Sequence, residues 1–207
     1  MAHVTQLFLA AGTQCIIRVV RGNRRAMLIG LALLFLLSIS SAANVRAAED
    51  SEALESRVKA AFLYKFSSYV EWPEVAFSQP QAPFTIAVVG AEPIVTALKQ
   101  AVAGRRVNDR PIVVRQLRPG ESMAGVHILF LGGNAAAQLG PLLKAARPYS
   151  VLTVTESEGG LAEGSVINFI LDDQRVRFEI SRESANRSKL RLSSRLLAVA
   201  KNVKEGR

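Results

Sequence analysis

The feature that most constrains the fold is a run of six apolar or β-branched residues, Phe84–Val89 (FTIAVV), which Gly90 ends. A continuous run of this kind predicts a strand that is covered on both faces of its sheet. Three further strands are predicted at residues 111–117 (PIVVRQL), 126–131 (VHILFL) and 149–155 (YSVLTVT). Helices are predicted between them at residues 93–102 and from Gly132-Gly133 to residue 147, with an interruption at Gly140-Pro141. This alternation indicates an α/β domain with a mostly parallel sheet.

The two ends of this region extend the pattern. A helix is predicted over Glu52–Tyr69, because its apolar residues recur on one face: Leu54, Val58, Ala61, Phe62, Phe66 and Tyr69. Residues 165–171 and 175–180 flank Asp172-Asp173-Gln174 and predict a β-hairpin. The spacing of later apolar residues predicts one final helix from about Glu183 to Val203. We therefore predict a three-layer α/β/α sandwich with a mostly parallel sheet and an antiparallel hairpin edge.

The N-terminal segment differs from the rest of the chain. Five arginines surround or precede the uncharged run Ala26–Ile39, and all 17 acidic residues come at or after Glu49. A basic stretch, a short apolar run and a segment of small residues are typical of a secretory signal peptide, which we place at residues 1–47, with one domain over residues 48–207. An uncleaved anchor is the alternative, although the run is shorter than the roughly 20 residues that span a membrane.

Cleavage of the signal peptide would lower the net charge, which bears on whether the protein binds nucleic acid. The whole chain has a formal charge of +9, but the part after residue 47 retains 21 basic and 17 acidic side chains, or about +4. A nucleic-acid partner is therefore not predicted, because the strongly basic balance belongs mainly to the segment before residue 48. The predicted signal peptide indicates export across the inner membrane.

Residue types that carry common catalytic chemistry are scarce. Cys15 is the single cysteine and lies in the predicted signal peptide, and His127 is the single histidine after it. No disulfide, thiol nucleophile, metal site or cofactor is predicted. His127 lies inside an apolar strand, where a core position is expected, so an exported hydrolase is the weakest hypothesis. Carboxylates at predicted turns are expected to be solvated: Glu156, Glu158, Glu163, Asp172 and Asp173.

Two kinds of binding site remain. Aromatic residues near the end of the first helix, Phe66, Tyr69 and Trp72, could anchor a protein partner, with core filling as the alternative. Arg175, Arg177 and Glu179 alternate with apolar residues and would form a charged strand face. Alternatively, a small molecule could bind at the carboxyl ends of the strands, where the lining residues would be Gly90, Gly132, Gly133 and Asn134. A plain strand-to-helix turn competes with this last interpretation.

Several segments together resemble the YfiR-like family of exported domains. They are KAAFLYKFSSYVEWP (59–73), FTIAVVG (84–90), HILFLG (127–132), VLTVTES (151–157), GSVINFILDDQRVRFEIS (164–181) and LRLSSRLLAVA (190–200). The resemblance covers essentially the whole chain after the predicted signal peptide. It implies a three-layer α/β/α fold, in agreement with the pattern of predicted elements.

The resemblance also implies a function. A characterised member is a non-catalytic periplasmic regulator that binds the periplasmic sensor part of an inner-membrane diguanylate cyclase and represses it. An outer-membrane lipoprotein can sequester that regulator, and related domains are fused to sensor kinases. The expected partners are therefore the periplasmic domain of a cyclase or sensor kinase, an outer-membrane lipoprotein, or a second copy of the chain. The characterised member has disulfide-forming cysteines, which this chain lacks after residue 47, so redox control by that route is not expected.

Overall fold

The computed structural model describes residues 49–206, and the predicted signal peptide lies outside them. From Glu52 onward the described chain forms one compact unit. The helices are α1 (49–69), α2 (Glu92–Val102), α3 (Leu139–Ala146), α4 (Gly160–Glu163), α5 (Arg182–Arg187) and α6 (Ser194–Val199), with 3-10 helices at Glu74–Ala76 and Gly133–Gln138. The strands are β1 (Val70–Glu71), β2 (Phe84–Val89), β3 (Arg106–Val107), β4 (Arg110–Gln116), β5 (Ile128–Leu131), β6 (Leu152–Thr155), β7 (Ile167–Asp172), β8 (Arg175–Ser181), β9 (Arg191–Leu192) and β10 (Asn202–Lys204).

The central sheet has eight strands in the order β10-β8-β7-β6-β5-β2-β4-β3. All neighbours are parallel except β3/β4 and β7/β8, so the mostly parallel α/β prediction is confirmed. The predicted hairpin is β7–β8, which a tight turn with positive φ at Asp173 and Gln174 closes. The hairpin does not form the outermost edge, because β10 pairs in parallel with β8 on its far side.

The two faces of the sheet carry separate hydrophobic cores. One core lies against α1 and α2, which pack on alternate residues of the central strands, such as Ile86 and Phe130. The other core lies against α3 and includes the intervening residues, such as Ala87 and Leu129. Because both faces are covered, every residue of β2 is buried, as its continuous apolar run predicts. The arrangement is a three-layer sandwich.

Helix α1 forms where its periodicity predicts, but a different side of it is buried. Leu54 is 59% exposed, whereas Ala60, Leu63 and Phe66 are in the core. Lys59 lies on the buried side with them. The apolar pattern continues almost around the helix, so periodicity alone could not identify the side that meets the sheet.

The predicted final helix, Glu183–Val203, is wrong. The segment folds as two short helices, α5 and α6, each followed by a short strand. Lys189 has a positive φ, and the Ser193 hydroxyl accepts a hydrogen bond from the Leu196 N–H, which starts a new helix there. Strand β9 pairs with β1, and β10 extends the main sheet, so long-range strand pairing outweighs the local helical pattern.

The connection after β5 is helical, as predicted, but its interruption lies elsewhere. A 3-10 helix ends at Gln138, and α3 begins at Leu139, so Gly140-Pro141 fall in the first turn of α3. Proline is compatible with a first helical turn, where its missing N–H leaves no hydrogen bond unmade. Within residues 49–206, no helix combines the length and apolarity that crossing a bilayer would require.

Candidate functional site

Phe66, predicted as a partner anchor, is a core residue. It is 1% exposed, and its ring stands 5.2 Å from that of Phe178 and 6.0 Å from those of Phe62 and Phe169. This aromatic cluster joins α1 to the β7–β8 hairpin. Phe66 therefore acts through packing, and the choice of this residue as a surface anchor is corrected.

Trp72 and Tyr69 lie at the surface near the amino ends of β2 and β5. Tyr69 is 36% exposed and Trp72 is half-buried. The Trp72 indole N–H donates a hydrogen bond of 3.2 Å to the His127 carbonyl, and its ring packs edge-on against Phe84 at 4.9 Å. This fixed indole lines an open pocket together with Phe77 and Arg110, whose guanidinium lies 3.9 Å from the Phe77 ring centre. We call this the aromatic pocket.

His127 closes the inner side of this region. It is 2% exposed, its ring lies between those of Phe77 and Phe84, and its Nδ1 accepts a hydrogen bond of 3.1 Å from the Thr85 N–H. Burial lowers the pKa of His127 to about 4, the Arg110 cation adds to this, and the Ala76 carbonyl acts in the opposite direction. The imidazole is thus neutral near pH 7 and packs in the core, as its strand position predicts.

The lowered pKa makes a testable contribution to acid sensitivity. The unfolded chain binds a proton at the ordinary histidine pKa of 6.5, whereas the folded chain does so only at about 4. Between these values the unfolded state binds more protons, so the stability contribution of His127 falls as pH is lowered. We expect His127→Gln to lose this part of the pH dependence in thermal melts from pH 7 to pH 4. An NMR titration of the imidazole with a midpoint near 6.5 would contradict the assignment.

The charged strand face forms as the alternation predicts. Phe178 and Ile180 of β8 are buried toward α1, so Arg175, Arg177 and Glu179 point to the opposite side. Both arginines are exposed, and Glu179 is half-buried. β8 lies four places from β2 in the sheet order, so the charged strand face and the aromatic pocket are separate surfaces.

The carboxyl ends of β2 and β5 form the predicted crevice. β2 leads to β4 on one side and β5 leads to β6 on the other, so the order of the sheet reverses between them, a common place for ligands in α/β folds. Gly90 and Gly132 are packed against each other there. A Cβ at Gly132 would lie 2.6 Å from the Gly90 oxygen and 2.5 Å from the Ala91 Cβ. These glycines therefore permit close backbone packing, and the remaining space is about 190 Å³.

An ion pair that sequence reasoning missed fills the mouth of this crevice. Lys59 Nζ lies 2.5 Å from Glu156 Oε2 and also contacts Glu55, one turn earlier on α1. Glu156 Oε1 accepts a hydrogen bond of 2.7 Å from the Gly133 N–H, which caps the 3-10 helix that starts there. Burial by itself lowers the pKa of Lys59, but its hydrogen bonds to Glu156 and Glu55 outweigh this, and the pKa is raised. The ion pair joins α1 to the ends of β5 and β6.

The other acidic candidates do not gather into a site. Asp172 contacts Lys201 at 2.7 Å, which lowers the pKa of its carboxyl group. Glu158 and Asp173 are exposed, and Glu163 lies at the end of α4. No group of three or more potential metal ligands occurs in the part of the chain that the structure describes.

The described chain is a three-layer α/β domain with an aromatic pocket at one end of its central sheet and an ion pair at the other. Residues 56–201 match the family model described as YfiR/HmsC-like, and the chain belongs to that family. The family is regulatory and non-catalytic, and the match supports a periplasmic regulator of cyclic di-GMP signalling. Lys59 and Glu156 both fall in the family-like segments, at residues 59–73 and 151–157.

No curated protein matches the chain. Among solved structures, the chain is similar to the crystal structure of a conserved domain protein from Vibrio cholerae O1 biovar eltor. The two share 12% sequence identity with a TM-score of 0.44, over 58% of this chain and 54% of the other. The match thus spans about half the length of that protein.

Proposed function

We propose that this protein is a non-catalytic periplasmic regulator that binds the periplasmic sensor part of an inner-membrane diguanylate cyclase and represses it, so that cyclic di-GMP signalling falls. The observation that carries this proposal is the family match from α1 to the residue before β10. The same match supports a regulatory domain over a catalytic one. An outer-membrane lipoprotein that sequesters the regulator would be a second partner.

Two surfaces support binding to a protein partner. The aromatic pocket offers an immobilised indole beside a cation, and buried or half-buried tryptophan and arginine are common centres of interface energy. The charged strand face offers exposed Arg175 and Arg177, which would affect the association rate with an acidic partner more than the final affinity. Since these surfaces are separate, they would engage either one extended partner or two different partners.

The proposal is tested by capturing the partner. The protein, expressed from its complete sequence with a C-terminal tag, is recovered from envelope extracts of its host, and the retained proteins are identified by mass spectrometry. We expect an inner-membrane diguanylate cyclase. Retention of a sensor kinase instead would mean that the protein regulates kinase signalling rather than cyclic di-GMP synthesis. An unchanged cyclic di-GMP level after deletion of the gene would contradict the proposal.

Substitutions then separate the two surfaces. Trp72→Ala is expected to weaken binding to the captured partner about thirtyfold, the effect of losing a 2 kcal/mol interface anchor. Arg177→Ala is expected to reduce the association rate and the salt dependence of binding. Arg195→Ala, an exposed arginine on α6, is the control. Unchanged affinity in a folded Trp72→Ala variant would remove the aromatic pocket from the interface while leaving the function open.

The second candidate function, a small-molecule sensor or carrier, receives little support from the crevice at the carboxyl ends of β2 and β5. Its space of about 190 Å³ is below the roughly 300–1,000 Å³ of typical ligand pockets. Lys59 and Glu156 already form an ion pair at its mouth, and Glu52 and Glu55 add two further carboxylates to its lining. A ligand at this crevice would have to break that ion pair.

A further inference from the structure

Two adjoining cavities share no lining residue with the aromatic pocket or with the strand-end crevice. The first, of about 640 Å³, lies between the end of α3, α4 and α5. The second, of about 430 Å³, is bounded by the loops around Val75, Gly125 and Tyr149. Both cavities are lined by Arg147, Arg187 and Ser188, so these residues form a shared wall. Their combined size is suited to a small molecule rather than to a lone ion.

The lining of these cavities is basic. Arg147 and Arg187 line both cavities, and Lys189 lines the second. Among the described residues that line the two cavities, one is acidic, Glu163. Arg147 forms no ion pair within residues 49–206. Arg187 is paired with Glu183, so the excess positive charge that would attract an anionic group comes from Arg147 and Lys189.

Arg187 is held in place for such a contact. Its guanidinium contacts Glu183 on the same helix and donates a hydrogen bond of 2.9 Å to the Ser184 hydroxyl. Ser184 is 2% exposed, and its hydroxyl lies 3.1 Å from that of Ser181, so it is itself fixed. A guanidinium oriented in advance loses less conformational entropy when it binds an oxyanion, for which its fork geometry is well suited.

The second cavity provides a different surface for the body of the ligand. Val75 is 83% exposed, and Tyr149 is 38% exposed, although both are large hydrophobic residues. Together with Pro148 and Val126 they give this cavity an apolar side next to the shared arginines. An aromatic ring could stack on Tyr149 while an attached anion reached Arg147 and Arg187.

We propose that the paired cavities bind a small phosphate-bearing molecule, with its phosphate between Arg147 and Arg187 and a compact apolar or aromatic body against Tyr149. Phosphate offers several acceptor oxygens to two guanidinium forks and to the neighbouring Ser188 hydroxyl. This ligand site goes beyond the proposed regulatory role, and its test does not involve the protein partner.

The test uses calorimetric titration of the protein, purified from its complete sequence, with phenyl phosphate, inorganic phosphate and succinate at constant ionic strength. We expect phenyl phosphate to bind more tightly than inorganic phosphate, and succinate to bind most weakly. Arg147→Gln and Arg187→Gln are each expected to weaken phenyl phosphate binding about tenfold or more, through loss of a charge-assisted hydrogen bond. Glu163→Gln is expected to tighten it, because a like charge is removed.

Control variants keep the test specific. Arg115→Gln removes an exposed arginine from β4, at the other end of the sheet, and should leave binding unchanged. Tyr149→Ala should abolish the preference for phenyl phosphate over inorganic phosphate. If Arg187→Gln fails to fold because its contacts with Glu183 and Ser184 are lost, Arg147→Gln still decides. The proposal is overturned by absence of binding heat at 10 mM ligand concentration, roughly the weak limit for a small ligand, by an equal effect of Arg115→Gln, or by tighter binding of succinate.

Discussion

Phe66→Ala is expected to lower the free energy of unfolding by about 3–5 kcal/mol, the usual cost of truncating a buried phenylalanine. The side chain lies in an aromatic cluster with Phe62, Phe169 and Phe178, and no neighbouring side chain can fill the space without losing its own contacts. The loss should appear as a lower midpoint in urea unfolding with an unchanged slope.

The matched control is Tyr69→Ala, three residues further along the same helix and 36% exposed. Its effect on unfolding should be about 1 kcal/mol or less, since partly exposed positions away from special contacts tolerate truncation. Equal losses for the two variants would contradict the placement of Phe66 in the core.

Lys59→Met is expected to destabilise the protein by about 2–3 kcal/mol, somewhat below the cost of breaking a fully buried ion pair. The substitution leaves Glu156 and Glu55 near each other without their shared cation, in a place where their side chains are mostly or partly buried. Methionine retains most of the apolar stem of lysine, so the loss reports on charge rather than on packing volume. Urea unfolding of the variant at pH 7 measures it.

A double-mutant cycle with Glu156→Gln assigns the loss to the pair. The Lys59–Glu156 coupling should be about 1–3 kcal/mol, whereas Lys65→Met on the exposed side of α1 should have little effect. Because the pKa of Lys59 is raised in the folded state, this contribution is fully present below its ordinary pKa of 10.5 and is lost as pH rises through the higher folded value. Additive single effects would show that the two side chains are not coupled.

The sequence located parts of the candidate site without showing their environment. Trp72 and the alternating residues of β8 were identifiable, because an isolated tryptophan beside a proline and a period of two are local signals. The sequence analysis did not select Lys59. A lysine among the small and apolar residues on the sheet-facing side of α1 would need a buried partner, and this could have indicated the ion pair. The cavities around Arg147 and Arg187 unite side chains from α3, α4 and α5, and no spacing in the sequence connects these residues.

Elements in which the apolar pattern matches the burial could be predicted from the sequence. β2 is apolar throughout because both of its faces are covered, and the β7–β8 hairpin follows from two alternating runs around a short polar turn. The C-terminal segment could not be predicted in this way, because its leucines and valines have a helical spacing but part of the segment forms β9 and β10. β9 pairs with β1 and β10 pairs with β8, so backbone N–H and C=O groups form hydrogen bonds with strands distant in the sequence. The pattern of residues 183–203 alone does not contain this stabilising contribution. The tertiary structure also decided which side of α1 is buried, because nearly every side of that helix is apolar enough to meet the sheet.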